Sequence, residues 1–161
     1  MKIKRDFYLT QLIDRKHNQM IKIVSGIRRC GKSYLLSELF TQHLLDEGVD
    51  RHHIIHIDLD TRDNLEFRNP DACNQYVKSL IKDDNMYYLL LDEVQLMEDF
   101  VSVLNGFLHI KNLDVYVTGS NSKFLSSDIV TEFRGRGDEI RVYPLSFAEI
   151  YPIYDNNWEK A

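Results

Sequence analysis

The chain has 161 residues, 43% hydrophobic and 28% charged, with a formal net charge of −5 and a pI near 5.6. That length and balance suit one globular domain with a real hydrophobic core, and the acidic charge argues against nucleic-acid binding through the overall field. Two cysteines, Cys30 and Cys73, read as reduced thiols, and no apolar run of spanning length or signal-peptide pattern occurs, so a cytoplasmic location without membrane contact is expected.

In chain order, residues 5–19 begin with Arg5-Asp6-Phe7-Tyr8-Leu9 and carry Leu12 and Ile13, an amphipathic helix closing in a polar turn. The apolar run Ile21-Lys22-Ile23-Val24 reads as a strand. Directly after it stands Gly26-Ile27-Arg28-Arg29-Cys30-Gly31-Lys32-Ser33, which fits G-x-x-x-x-G-K-[ST] without a mismatch. Each position has a physical task. The glycines let the backbone wrap closely around phosphate oxygens, while successive N–H groups and the following helix N-terminus point at the anion. Lys32 supplies a point charge for the β- and γ-phosphates, and the Ser33 hydroxyl suits Mg²⁺. Tyr34-Leu35-Leu36-Ser37-Glu38-Leu39-Phe40 then continues at helical spacing. The candidate nucleotide ligands are Gly26, Ile27, Arg28, Arg29, Cys30, Gly31, Lys32, Ser33 and Tyr34; for Arg28 and Arg29 no catalytic role is assigned.

Glu47-Gly48-Val49-Asp50 stops that helix, and His53-Ile54-Ile55-His56-Ile57-Asp58-Leu59-Asp60 alternates like a strand with an acidic end. His52, His53 and His56 with Asp58 and Asp60 suggest a metal site only if the strand runs regularly to its end, and a plain polar strand end is favoured. Asn69-Pro70-Asp71 opens another helix, closed by Asp83-Asp84-Asn85. Met86-Tyr87-Tyr88-Leu89-Leu90-Leu91 reads as a central parallel strand buried on both faces, ending in Asp92-Glu93. A helix over 99–110 follows, then the strand Val115-Tyr116-Val117, which ends at Thr118-Gly119-Ser120-Asn121-Ser122. Short helical pieces over 122–125 and 128–133 precede a last strand, Glu139-Ile140-Arg141-Val142-Tyr143, and a helix over 147–150.

Strands alternating with helices indicate an α/β fold with a five-stranded, mostly parallel sheet flanked by helices. Ligands in such sheets sit beyond the carboxyl ends of the strands. Asp92 is therefore placed to hold Mg²⁺ with Ser33, and Glu93 is the natural general base or water-positioning group. Asn121, Ser120 or Thr118 reaches the γ-phosphate or the attacking water; the residues leave the choice open. Arg134, Arg136 and Arg141 cluster near the start of the last strand, where one of them suits an arginine finger directed at a neighbouring subunit, a homo-oligomer contact.

The segments Gly26–Ser33, Leu89-Leu90-Leu91-Asp92-Glu93-Val94-Gln95, Val117-Thr118-Gly119-Ser120-Asn121-Ser122-Lys123-Phe124-Leu125-Ser126-Ser127 and Arg141-Val142-Tyr143-Pro144-Leu145-Ser146-Phe147-Ala148-Glu149-Ile150 together resemble prokaryotic AAA-type ATPases that carry a second, C-terminal domain of unknown function. The resemblance implies an additional-strand P-loop NTPase fold, with the fourth strand between the first and third. It implies ATP with Mg²⁺ as cofactors, Gly26–Ser33 as Walker A, Asp92 and Glu93 as Walker B, and Ser120-Asn121 as the sensor-1 region. Arg136 matches the arginine preceding the last strand, although the run Arg134-Gly135-Arg136-Gly137 departs from the usual pattern.

Residues 1–161 are expected to form one ATPase domain: a helix and turn over 1–20, the P-loop core over 21–151, and a helix end or tail over 152–161. No helical lid and no second sensor arginine follow the last strand, so an isolated domain with slow turnover is expected. Catalysis is assigned to Glu93, Lys32, Asn121 and Arg136, coupled to a C-terminal domain or partner. The alternatives are a nucleotide-gated switch with little turnover and, less favoured, a P-loop small-molecule kinase. Nucleic-acid binding is not evident.

Overall fold

The computed structural model describes residues 3–120 and 131–154, with side chains as far as 152. Strands β1 (Ile21–Ser25), β2 (Ile54–Asp58), β3 (Tyr87–Asp92), β4 (Leu113–Gly119) and β5 (Gly137–Arg141) form one sheet in the order β2-β3-β4-β1-β5. Every pairing is parallel. The fourth strand thus lies between the first and third, as the resemblance implied.

Three strands, β1, β3 and β4, are buried along their whole length, which is why their sequences are nearly continuous apolar runs. Side chains alternate between two cores. On one face Ile21, Ile23, Leu89, Leu91, Val115 and Val117 pack against Cys73 and Val77 of α3 (Pro70–Leu80) and Leu104 and Phe107 of α4 (Phe100–Phe107). On the other, Val24, Leu90, Tyr116, Ile140 and Val142 meet α1 (Asp6–Asp14) and α2 (residues 32–46).

Helix α2 runs without a break through Lys32–Tyr34, Leu35–Phe40 and Thr41–Asp46. Leu35, Leu36, Phe40 and Leu44 on its inner face are essentially inaccessible, each contributing about 1.5–3 kcal/mol by burial. The middle segment is wound wider, with Thr41 N–H and Oγ1 both donating to the Leu36 carbonyl, the latter at 3.0 Å. At the start of α3 the expected signals act as anticipated. Asn69 caps it by accepting from Ala72 N–H at 3.0 Å, and Pro70 occupies the first turn, where its missing N–H costs nothing.

Some boundaries differ from the sequence reading. The first helix ends at Asp14 in the polar turn expected there, with His17 and Gln19 at positive φ, whereas two strand boundaries move. β2 stops at Asp58, where the Asp58 carboxylate turns the chain by accepting from Asp60 N–H at 2.9 Å, so Asp60 leaves the strand face. The last strand begins at Gly137, two residues early, and ends at Arg141, because its backbone pairs with β1 from Ile21 to Ser25. After it, α5 (Phe147–Ile150) starts with a reciprocal capping box between Ser146 and Glu149. Asn121 and the helical pieces expected over 122–125 and the first part of 128–133 lie outside the described residues.

Candidate nucleotide-binding site

Because the sheet is parallel, the carboxyl ends of β1, β4 and β3 share one edge. The loop from Gly26 to Gly31 leaves β1 there and enters α2. Gly26 is required by close approach: a Cβ would lie 2.4 Å from the Val142 carbonyl oxygen and 2.7 Å from Cys30 Sγ. Gly31 caps α2 in the left-handed region at φ 94°. Lys32, only 3% exposed, donates from Nζ to the Gly26 and Ile27 carbonyls at 3.1 and 2.9 Å, across the inside of the loop. Ile27, Arg28, Arg29 and Ser33 are exposed, Cys30 is buried, and Tyr34 is half-buried with its hydroxyl 3.4 Å from the Ile3 carbonyl.

At the end of β3, Asp92 is buried and Glu93 turns sharply at φ 55°, a left-handed position uncommon for a side chain larger than glycine. Thr118 of β4 binds the two residues together. Its hydroxyl donates to Asp92 Oδ1 and accepts from Glu93 N–H at 2.9 Å. Fully buried and so engaged, Thr118 faces the carboxylate pair rather than the solvent side of the site. Ser120 Oγ donates to Glu93 Oε2 at 2.8 Å, and Gln95 Nε2 donates to the same oxygen. Glu93 is thereby aimed by neighbours on both sides. A third carboxylate, Asp58, pairs with Asp92 in register across β2 and β3. Its pKa is raised, chiefly by burial and in part by the Asp92 charge, while the bond from Asp60 N–H works against the rise.

The structure therefore brings Gly26–Ser33, Asp92, Glu93, Ser120 and Thr118 to one edge. Arg136 is not among them. It is exposed at the start of β5, on the opposite edge of the sheet, with its carbonyl accepting from Ile21 N–H at 2.7 Å. A full strand separates it from its own loop. Arg141 lies at the near end of β5, 3.4 Å from Glu139. Two of the three histidines weighed for a metal site pair with carboxylates outside the strand end: His52 with Asp50 at 2.9 Å and His53 with Asp83 at 3.0 Å.

Local sequence signals do not reveal Arg5. It is 2% exposed, and its guanidinium donates to the carbonyls of Cys30, in the loop, and Tyr143, and to the carboxylate of Glu149. The partners are distant in sequence, so only an arginine at the start of an amphipathic helix stands in view.

A family model described as an AAA domain matches residues 18–151. The chain belongs to the AAA domain family. The match covers the loop, both strand-end carboxylates and the capping box of α5. AAA domains are nucleotide-binding, ATPase-type modules, and this one carries the P-loop at the expected strand–helix junction. An uncharacterized protein of Haemophilus influenzae is 33% identical over 148 residues, covering 91% of this chain and 37% of that protein. An uncharacterized protein of Methanocaldococcus jannaschii is 30% identical over 161 residues, covering 98% of this chain and 33% of that protein. The chain thus spans about a third of the length of these relatives. Among solved structures, the Hsp104:casein complex of Saccharomyces cerevisiae in its extended conformation superimposes on the AAA domain with a TM-score of 0.65 at 18% identity, over 98% of this chain and 30% of that one. A DNA polymerase III gamma subunit-related protein of Thermotoga maritima gives 0.59 at 10% identity, over 94% and 55%. At these identities the likeness is one of fold. Among the described residues no helix is long and apolar enough to cross a membrane.

Proposed function

We propose that this AAA domain binds ATP with Mg²⁺ in the Gly26–Ser33 loop, hydrolyses it, and couples the cycle to a conformational change in a further domain or partner. The observation that carries the reading is the Asp92–Glu93 pair, clamped by Thr118 and aimed by Ser120 and Gln95 at the edge where the loop lies.

The donor set fits Mg²⁺. No group of three or more His, Cys, Asp or Glu among the described residues is arranged as a protein-only metal cage. Mg²⁺ needs none, because it keeps several waters and takes one or two protein oxygens alongside phosphate. Ser33 and Asp92 would supply those oxygens. When bound, the ion neutralises charge on the phosphate oxygens. Lys32 would exchange its bonds to the Gly26 and Ile27 carbonyls for phosphate oxygens, and the loop N–H groups would add dipoles. Glu93 would orient the attacking water and accept its proton, a contribution of about 10²–10⁴-fold. Arg136, remote from its own loop, would act on a neighbouring subunit.

The Ser120 and Gln95 bonds to Glu93 also favour a second reading, a nucleotide-gated switch with little turnover, since the base must be released to work. One experiment separates them. Phosphate release is followed with ATP and Mg²⁺ alone, for the wild type and Glu93→Gln, beside ATP affinity. Release that falls at least about 10²-fold in the variant, with ATP still bound, supports hydrolysis. Binding without release supports the switch, and ADP formation that requires an added acceptor, with the phosphoryl group on that acceptor and no free phosphate, indicates a kinase. No nucleotide binding at all would end every one of these readings.

A further inference from the structure

Arg5 is buried although Lys4 and Asp6 beside it are exposed. Its planar fork reaches three separate stretches of chain. Nε donates to Glu149 Oε1 at 2.8 Å, Nη1 to the Cys30 carbonyl at 2.6 Å, and Nη2 to the Tyr143 carbonyl at 2.7 Å. Nη2 also lies 3.5 Å from Glu149 Oε2, and the Tyr8 ring centroid is 4.6 Å from Cζ. Because the guanidinium is rigid, these directions are fixed together. Nothing in the hydrolytic scheme uses this residue.

The bond to Cys30 has a geometric consequence. No peptide in the described chain is cis, and a planar trans peptide points its C=O and N–H in opposite directions. With the Cys30 carbonyl turned toward Arg5, the Gly31 N–H faces away from the wall made by Arg5, Tyr143 and Glu149. Glycine at 31 also suits this path: it has φ 94°, where a side chain is strained, and a Cβ would lie 3.2 Å from Arg5 Nη1. Glu149 is shared, its Oε2 also accepting from Ser146 N–H at 2.8 Å and Ser146 Oγ at 3.0 Å in the capping box of α5.

We infer that Arg5 is a positioning residue that holds the Cys30–Gly31 peptide with its N–H toward bound phosphate, and that Glu149, its counter-charge, links phosphate affinity to the seating of α5. The inference rests on the nucleotide reading above. By linkage the effect runs both ways: phosphate favours the seated helix as much as the seated helix favours phosphate. A segment leaving the domain through α5 thereby has a mechanical route to the loop, independent of Glu93.

The test uses Mg²⁺-ADP as probe, with calorimetric affinity and the amide resonance of Gly31 in the wild type, Arg5→Gln and Glu149→Ala. The wild type should bind ADP and shift the Gly31 amide downfield. Each variant should bind ADP about tenfold more weakly, the scale of one charge-assisted hydrogen bond. In each, the Gly31 resonance should be displaced without ligand and move less at saturation. Should Arg5→Gln fail to fold, Glu149→Ala decides by the same two readouts. Unchanged affinity overturns the inference. So does weaker affinity with a wild-type Gly31 response, which marks a merely structural role. If the wild type itself binds no ADP, the nucleotide reading fails first and this inference falls with it.

Discussion

Asp114→Ala probes how β1, the strand that feeds the loop, is anchored at the opposite edge of the sheet. The Lys22 side chain is 0% exposed and that of Asp114 4%, and the two form a buried ion pair. Asp114 also accepts from Tyr116 OH at 2.6 Å and His17 N–H at 3.1 Å. Burial pulls the Lys22 pKa down, and the Asp114 charge and hydrogen bond push it back up. Without Asp114 the ammonium keeps Asn18 Oδ1 at 3.2 Å, the Tyr116 ring, whose centroid is 4.8 Å away, and the weaker pull of the Asp138 charge. Breaking a buried pair from one side costs about 3–5 kcal/mol. A second limit agrees: a lysine of ordinary pKa about 10.4 can shed its proton at pH 7 for about 4.6 kcal/mol, which caps the Lys22 share of the penalty. At about pH 9.5 that cap falls to about 1.2 kcal/mol. The sign follows from proton counting. The variant's Lys22 holds its proton less tightly folded than unfolded, so the unfolded state binds more protons and stability rises with pH. Urea unfolding followed by far-UV circular dichroism should show a loss of about 3–5 kcal/mol at pH 7 that shrinks at alkaline pH. Adding Lys22→Met to Asp114→Asn, which keeps an acceptor for Tyr116 and His17, should recover most of it. A loss under about 1 kcal/mol at pH 7, or one that does not shrink on raising the pH, would refute the reasoning.

Lys32→Ala removes the ammonium that spans the loop, and ATP affinity should drop at least about tenfold in a fluorescent-nucleotide titration; an unchanged affinity would leave the loop without its proposed ligand. Arg136→Ala should leave ATP binding intact and lower turnover about 10³-fold, and mixing it with Glu93→Gln should restore part of the activity through mixed interfaces. No recovery on mixing, with turnover already normal in Arg136→Ala, would return Arg136 to the solvated turn it occupies. Although burial alone would raise the Glu149 pKa, the hydrogen bonds from Arg5 and Ser146 hold it below the usual carboxylate value. Its contribution is therefore present above about pH 4.5 and lost as pH falls through the folded pKa. The melting-temperature gap between wild type and Glu149→Gln should be constant from neutral pH to about pH 5 and close below it; a gap that widens in acid would contradict the depressed pKa.

The strands that matter were legible because each is buried on both faces. Met86–Leu91 has nowhere to show a polar side chain, and its first polar residues, Asp92 and Glu93, mark where it reaches the open edge. The loop was legible for a similar local reason, since its glycines serve the backbone path directly and Lys32 bonds back to the Gly26 and Ile27 carbonyls within the same few residues. The end of β2 was less legible, because the turn at Asp58 depends on a side chain bonding back to Asp60 N–H, which competes with strand continuation. Thr118 looked like a phosphate-side residue, being near a strand end. Its hydroxyl instead joins Asp92 to Glu93, an arrangement that depends on β4 lying beside β3.

Sequence alone determined the Gly26–Ser33 loop, the carboxylate pair and the alternating α/β order, because each is written in neighbouring residues or in a period of burial. Tertiary structure decided which side chains from remote segments meet. It buried Arg5 against Cys30 and Glu149, paired Asp58 with Asp92, and set Arg136 on the far edge from its own loop. The physical reason is that an ion pair or a carbonyl contact carries no local periodicity. A buried charge requires a partner, but the chain between two partners leaves no mark of where they will meet until the sheet has closed over them.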